Sequence, residues 1–313
     1  MKKWGFSAPN FPKKLDWVSA DIYEKDAFIT FEIPDRMNAL SEEVVARLEE
    51  KWSEVEKNPA VKRVFFLGRG KAFVAGADIK FFLESMKAND YRRIIEFTAK
   101  GQKLLARIAT SSKQTIAYLN GLTLGGGLEL ALSCQYRVAT KNAVLAFPET
   151  GIGIYPGLGG TQRTTRLLGK GIAKYLVSTG AMINSVKALT YGLVDKIIDP
   201  VERPYDLQKL SEISAQPGKA PNQPEEKFLN FDGNLNAAAM AEPIVHANEK
   251  LLKRKAPKAL ALAMRLIDEG QSLSLEDGLN LELKYLEEIF KTKDAYTGLN
   301  SVITKSRPEF QGQ

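Results

Sequence analysis

The chain has 313 residues, 44% hydrophobic and 26% charged, a balance ordinary for a folded protein that buries most of its unfolded surface without staples. One cysteine, Cys134, excludes an internal disulfide framework, and one histidine, His246, excludes a Cys/His or three-histidine zinc site and leaves a Ser-His-Asp triad a single residue to recruit. The excess of 44 Lys and Arg over 37 Asp and Glu, a net +7, suits a phosphate-bearing small ligand as well as nucleic acid and decides neither.

Residues 1–20 read as an irregular N-terminal arm with docking points at Trp4, Phe6, Phe11 and Trp17. The arm lacks the apolar stretch of a secretory signal, and no apolar run reaches the ~18 residues of a membrane span, so a soluble, cytoplasmic protein is expected. Alternation over Ala27–Ile33 predicts a strand that Pro34-Asp35 ends. Ser41 is placed to cap a helix whose stripe runs through Val44, Val45, Leu48, Trp52 and Val55, up to Asn58-Pro59. Val61–Leu67 reads as a strand covered on both faces, and about Lys80 to Ile108 as helical. Thr115–Leu119 is another buried strand, after which Gly121–Gly127 turns into a helix near Gly126. Short strands follow at Tyr136–Ala139 and Ala143–Phe147. Strands alternating with helices from residue 21 to 198 imply one α/β core. Residues 199–246, with Pro200, Pro204, Pro217, Pro221 and Pro224, read as an inserted polar connection holding at most a short helix near Leu207–Ile213. Residues 247–313 form a C-terminal helical region, with Leu260, Met264 and Ile267 on one stripe and Leu279, Leu283, Leu286 and Phe290 on another.

Three segments concentrate chemistry: Lys71–Lys80, Asn120–Ala131, and Phe147–Glu149 with the following Tyr155–Arg163. Gly125-Gly126-Gly127 between a strand and a helix lets a ligand approach the backbone, where the first helical N–H groups favour an oxyanion; taken alone, three glycines are explained more simply by a tight turn with close packing. Their spacing is not that of a dinucleotide fingerprint. Glu129 sits among Leu128, Leu130, Ala131 and Leu132, and Glu149 follows Phe147-Pro148. A carboxylate in such surroundings is costly to bury unless paired or functional. Two of them near an oxyanion site suit acid–base work on a water.

Together these segments resemble the crotonase superfamily, and within it the enoyl-CoA hydratases. The resemblance runs from about Ala27 to Pro200, includes Ile33–Leu40, and resumes from Ala256 to the ending Ser306-Arg307-Pro308-Glu309-Phe310. It implies a β-β-α superhelical spiral core with a C-terminal helical region that supports trimers or dimers of trimers. It implies an oxyanion hole from the backbone N–H groups of Ala75 and Gly126, a water held by Glu129 and Glu149, and a further water contact from Gly157. Glu149 would supply the C2 proton and Glu129 act as base. The loop Ala75, Gly76, Ala77, Asp78, Ile79 and Lys80 would bind coenzyme A, with Lys305 near the nucleotide; Lys80 and Lys71 are candidates to meet its phosphates, although each taken singly reads as a solvated lysine. Asp78 also reads as a cap for a helix starting at Ile79. The activity implied is reversible hydration of a trans-2-enoyl-CoA, with an acyl-CoA thioester as partner and neither cofactor nor metal. Another reaction on a cyclic or branched acyl-CoA, an inactive CoA-binding scaffold, or a hydratase with secondary RNA binding are the alternatives; nucleic acid is not the expected partner. Residues 199–246 resemble the longer connection of fusions with a 3-hydroxyacyl-CoA dehydrogenase, although no nicotinamide-binding region is expected here.

Overall fold

The first two strands form a hairpin: β1 (Val18–Tyr23) runs antiparallel to β2 (Asp26–Phe31), with Val18 opposite Phe31. The computed structural model describes residues 17–210 and 222–313, and in it Val18, Ser19 and Ala20 already belong to the sheet. The arm expected over residues 1–20 thus ends earlier, and its first sixteen residues lie outside the described chain. Helix α1 (Glu42–Lys57) starts where the Ser41 hydroxyl accepts from the Val44 N–H, and it buries the five residues of the expected stripe.

A unit of two strands and a helix then repeats. In the first turn β3 (Arg63–Gly68) and β4 (Ala72–Ala75) lead to α2 (Ile79–Lys87) and α3 (Tyr91–Ala109). In the second, β5 (Gln114–Leu119) and β6 (Leu122–Leu124) lead to α4 (Gly126–Ser133). In the third, β7 (Tyr136–Thr140) and β8 (Val144–Ala146) lead to α5 (Gly160–Leu168) and α6 (Lys170–Thr179). The unit closes with β9 (Ile183–Asn184), α7 (Ser185–Tyr191) and β10 (Lys196–Ile198). The long strands build a six-stranded sheet ordered β1-β2-β3-β5-β7-β10, parallel from β2 onward. The short strands build a second sheet, β4-β6-β8-β9, parallel up to β8. This is the α/β spiral that the resemblance implied. The helical stretch expected over 80–108 is two helices, because Asn89 adopts a left-handed φ of 54° and Asp90 restarts the chain by accepting from the Arg93 N–H.

The connection after residue 198 is bound to the core. Its first part covers the outer face of the large sheet: Leu207 is fully buried against Phe28, Phe65, Leu67 and Tyr118, and the Tyr118 hydroxyl accepts from the Val201 N–H at 3.1 Å. The helix expected near Leu207–Ile213 is a 3-10 turn over Pro204–Lys209, with residues 211–213 outside the described chain. Beyond Asn222, a second 3-10 turn, Pro224–Asn230, sits on α6 with Phe228 and Phe231 buried.

Helical structure resumes before residue 247, with α8 (Ala237–Ala241), α9 (Pro243–Ala247) and α10 (Glu249–Leu252). Then α11 (Pro257–Gly270) packs on α5 and α6, while α12 (Leu275–Lys284) and α13 (Leu286–Phe290) reach α3. The last helix, α14 (Lys293–Thr304), lies on α2 and on the 3-10 turn Glu149–Ile152. The C-terminal helices therefore fold onto the core of their own chain. No helix among the described residues is long and apolar enough to cross a membrane.

Candidate active site

The site forms where the second and third turns of the spiral meet. Gly125 links β6 to α4 at φ 47°, ψ −120°, and a Cβ there would lie 2.2 Å from Glu149 Oε1. Only glycine takes this turn and leaves room for the carboxyl. Gly126 is then the first residue of α4, where an N–H has no partner one turn back. Glu129 sits in that first turn and is 2% exposed. Glu149 opens the 3-10 turn after β8 and is 7% exposed.

The first strand of the small sheet supplies the opposite wall, and here the sequence expectation is corrected. Ala75 ends β4, and its N–H donates to the Met37 carbonyl at 3.0 Å, so that amide is not free to hold an oxyanion. Among the described residues, the amide without a backbone acceptor in this loop is two residues on, at Ala77. Leu40 bridges the loop by donating to the Gly76 carbonyl and accepting from the Asp78 N–H, both at 2.9 Å, which turns the Ala77 N–H away from that pairing. Ala77 N lies 3.9 Å from where a Cβ on Gly126 would sit. Strand register, invisible to residue spacing, decides which of the two alanines has a spare donor.

A cavity of about 300 Å³ collects these groups. Ala75, Gly76, Ala77, Gly126, Glu129, Glu149 and Gly157 all line it, together with an apolar wall of Phe82, Phe97, Leu158, Leu286, Phe290 and Val302. Ile79 also lines it, whereas Asp78, Lys80 and Lys305 do not. Asp78 caps α2 by accepting from the Lys80 N–H at 2.9 Å, as the alternative reading of that residue had it. Lys305 is exposed just beyond α14, three residues after Val302.

The two carboxyls have different surroundings. Glu129 Oε1 accepts from the N–H groups of Leu158 and Gly160, both at 2.6 Å. Burial pushes Glu129 up to about 7, opposed by those two amides and by Arg163. Burial pushes Glu149 well above its ordinary value too, and the charge of Glu129 pushes it further. Its Oε2 is buried without a hydrogen-bond partner. Behind it the half-buried Lys255 is pushed down to about 8 by burial, against the pull of Glu149. Two buried carboxyls thus face one cavity, one served by two amide donors and one with an oxygen left unpartnered, an arrangement suited to general acid–base work on a water.

Sequence reasoning missed the groups behind this pair. Glu282 on α12 is fully buried, and burial followed by the charge of Glu129 pushes it up to about 8. Arg163 on α5 is buried with Nε and Nη2 unpartnered, and its charge faces both Glu129 and Glu282. A signal for Glu282 was present: it falls three residues after Leu279 and four before Leu286, inside an apolar stripe.

Residues 27–238 match the model of the enoyl-CoA hydratase/isomerase family. The chain belongs to that family. Among relatives in the enoyl-CoA hydratase/isomerase family, the crotonyl-CoA hydratase of Syntrophomonas wolfei is 42% identical over 189 residues, spanning 60% of this chain and 71% of that protein. The short-chain-enoyl-CoA hydratase of Clostridium acetobutylicum is 33% identical over 286 residues, spanning 91% and 94%. A solved enoyl-CoA hydratase from Rhodobacter sphaeroides shares the fold with a TM-score of 0.79, at 24% identity over 95% of this chain and 93% of that one. Among the described residues no cluster of His, Cys, Asp and Glu could hold a metal ion.

Proposed function

We propose that this chain is an enoyl-CoA hydratase that adds water reversibly and syn across the double bond of a trans-2-enoyl-CoA to give the 3-hydroxyacyl-CoA. The observation that carries this reading is the convergence of Glu129 and Glu149 on one cavity beside the amides of Ala77 and Gly126. Those amides would receive the thioester carbonyl and stabilise the enolate oxygen as charge develops on it. Glu129, whose carboxylate is already served by two N–H donors, takes a proton from water as the oxygen bonds C3. Glu149, whose Oε2 has no hydrogen-bond partner, is the group that holds a proton and delivers it to C2. The Gly157 N–H, which has no protein acceptor among the described residues, is placed to hold the same water. Coenzyme A enters as part of the substrate, along the backbone of Gly76, Ala77 and Ile79, with Lys80 and Lys305 within the region its phosphates would pass. The identities of the relatives, hydratases of crotonyl and short-chain enoyl thioesters, support the reaction class.

A trimer or dimer of trimers is the assembly we infer; Met182 just before α7 and Val186 within it, 64% and 63% exposed, are apolar surface that such an assembly would cover. The single cysteine fits a reducing cytoplasm. Hydration of crotonyl-CoA, followed by loss of its conjugated absorbance, tests the reaction. Glu129→Gln and Glu149→Gln should each slow it by about 10²–10⁴-fold, the range for a lost general acid or base. Near-normal turnover in both variants would remove them from the chemistry.

A further inference from the structure

The loop Gly157–Gly160 is held on both faces. Successive amides alternate in direction: Leu158 and Gly160 donate to Glu129 Oε1 at 2.6 Å each, and Gly159 between them donates the other way, to Glu282 Oε2 at 2.8 Å. Gly159 takes the left-handed φ of 106° that this alternation needs. Gln102 Nε2 ties the same assembly from α3, donating to the Gly157 carbonyl at 2.8 Å and to Glu282 Oε2 at 3.2 Å. The remaining oxygen of Glu282 accepts from the Thr161 hydroxyl at 2.5 Å, and the Tyr155 hydroxyl donates to the Glu282 carbonyl at 2.5 Å. A fully buried carboxyl with both oxygens engaged, by the loop at Gly159, by Thr161 just after it and by Gln102, is fixed in place and fixes that loop in turn.

We propose that Glu282 is a positioning residue for the reaction: from the C-terminal helix α12 it grips the loop Gly157–Gly160 on the face opposite Glu129, and so sets the two amides that orient the Glu129 carboxylate. The C-terminal region then contributes more than an apolar wall. It aligns the base, and it does so through Gly159, a residue that touches neither carboxyl's side of the cavity. Glu282 itself lies outside the cavity lining and contacts no reacting atom.

The inference rests on the hydratase reading for its kinetic readout and on the geometry alone for its structural one, so both are measured. Glu282→Ala removes the acceptor of the Gly159 N–H; Glu282→Gln keeps an oxygen there. In Glu282→Ala, kcat for crotonyl-CoA should fall by up to about 10²-fold, the effect of misplacing a reacting group by ~1 Å, while KM stays close to wild type. Glu282→Gln should recover most of kcat. Hydrogen exchange followed by mass spectrometry should find the amides of 157–160 exchanging faster in the Ala variant, with the Gln variant near wild type and the six-stranded sheet unchanged in both. Wild-type kcat and wild-type loop exchange in a folded Glu282→Ala protein would overturn the proposal. Equal losses in the two variants, in step with a lowered melting temperature, would also overturn it, by reducing Glu282 to a folding role. If the wild type itself fails to hydrate crotonyl-CoA, the functional reading fails, and the exchange data alone decide the clamp.

Discussion

Glu149 holds a carboxyl oxygen in apolar surroundings with no hydrogen bond to it, an arrangement that favours chemistry over stability. Its folded pKa lies above the ordinary 4.5 because of burial and of Glu129. For a carboxyl shifted upward, the folded state keeps its proton while the unfolded chain loses it, so stability is greatest below 4.5 and drains away as pH rises toward the folded value. Glu149→Gln abolishes that drain. The variant should melt higher than wild type at pH 8, by about 2 °C for each ~1 kcal/mol relieved, and the gap should narrow at pH 5. A gap of equal size at both pH values would show that the unpartnered oxygen does not strain the fold. At this scale the sequence was legible wherever a charge stood among apolar neighbours, which is how Glu129 and Glu149 emerged. It was not legible for Ala77, because the choice between Ala75 and Ala77 depends on which amide the Met37 carbonyl consumes.

Helix α14 sits on the turn that carries Glu149, and one residue sets how close it comes. A Cβ on Gly298 would lie 2.3 Å from the carbonyl carbon and oxygen of Ile152, three residues beyond Glu149. Gly298→Ala must push the helix or the turn aside, at about 1–3 kcal/mol, the usual range for overpacking. Chemical denaturation should register that loss, and kcat should fall with it because the turn bearing Glu149 moves; unchanged stability and rate would mean that α14 is not seated there. Elements with long periodicity, such as α1 and β3, were readable from their stripes. The strands β4 and β6 were not, since three or four residues give alternation too little length to register, and their partners lie dozens of residues away. The connection after residue 198 misled for a related reason: its composition is polar, but Leu207, Phe228 and Phe231 suffice to bind it to the core.

For the whole molecule, repetition of one strand-strand-helix unit stacks the loops that follow β4, β6 and β8 at one edge, so residues far apart in sequence meet in a single cavity. The outer surface keeps Met182, Val186 and Leu189 exposed around α7. Replacing Met182 and Val186 together by Glu should shift sedimentation from three or six chains toward one; a wild-type protein that already sediments as a single chain would sink the trimer. Cys134 closes α4 in the interior, 4% exposed, its thiol pushed up to about 12 by burial. The lone thiol of the chain is therefore silent while the native structure lasts. An alkylating reagent in excess reports only on molecules that have opened, which gives the protein a built-in clock for its own unfolding.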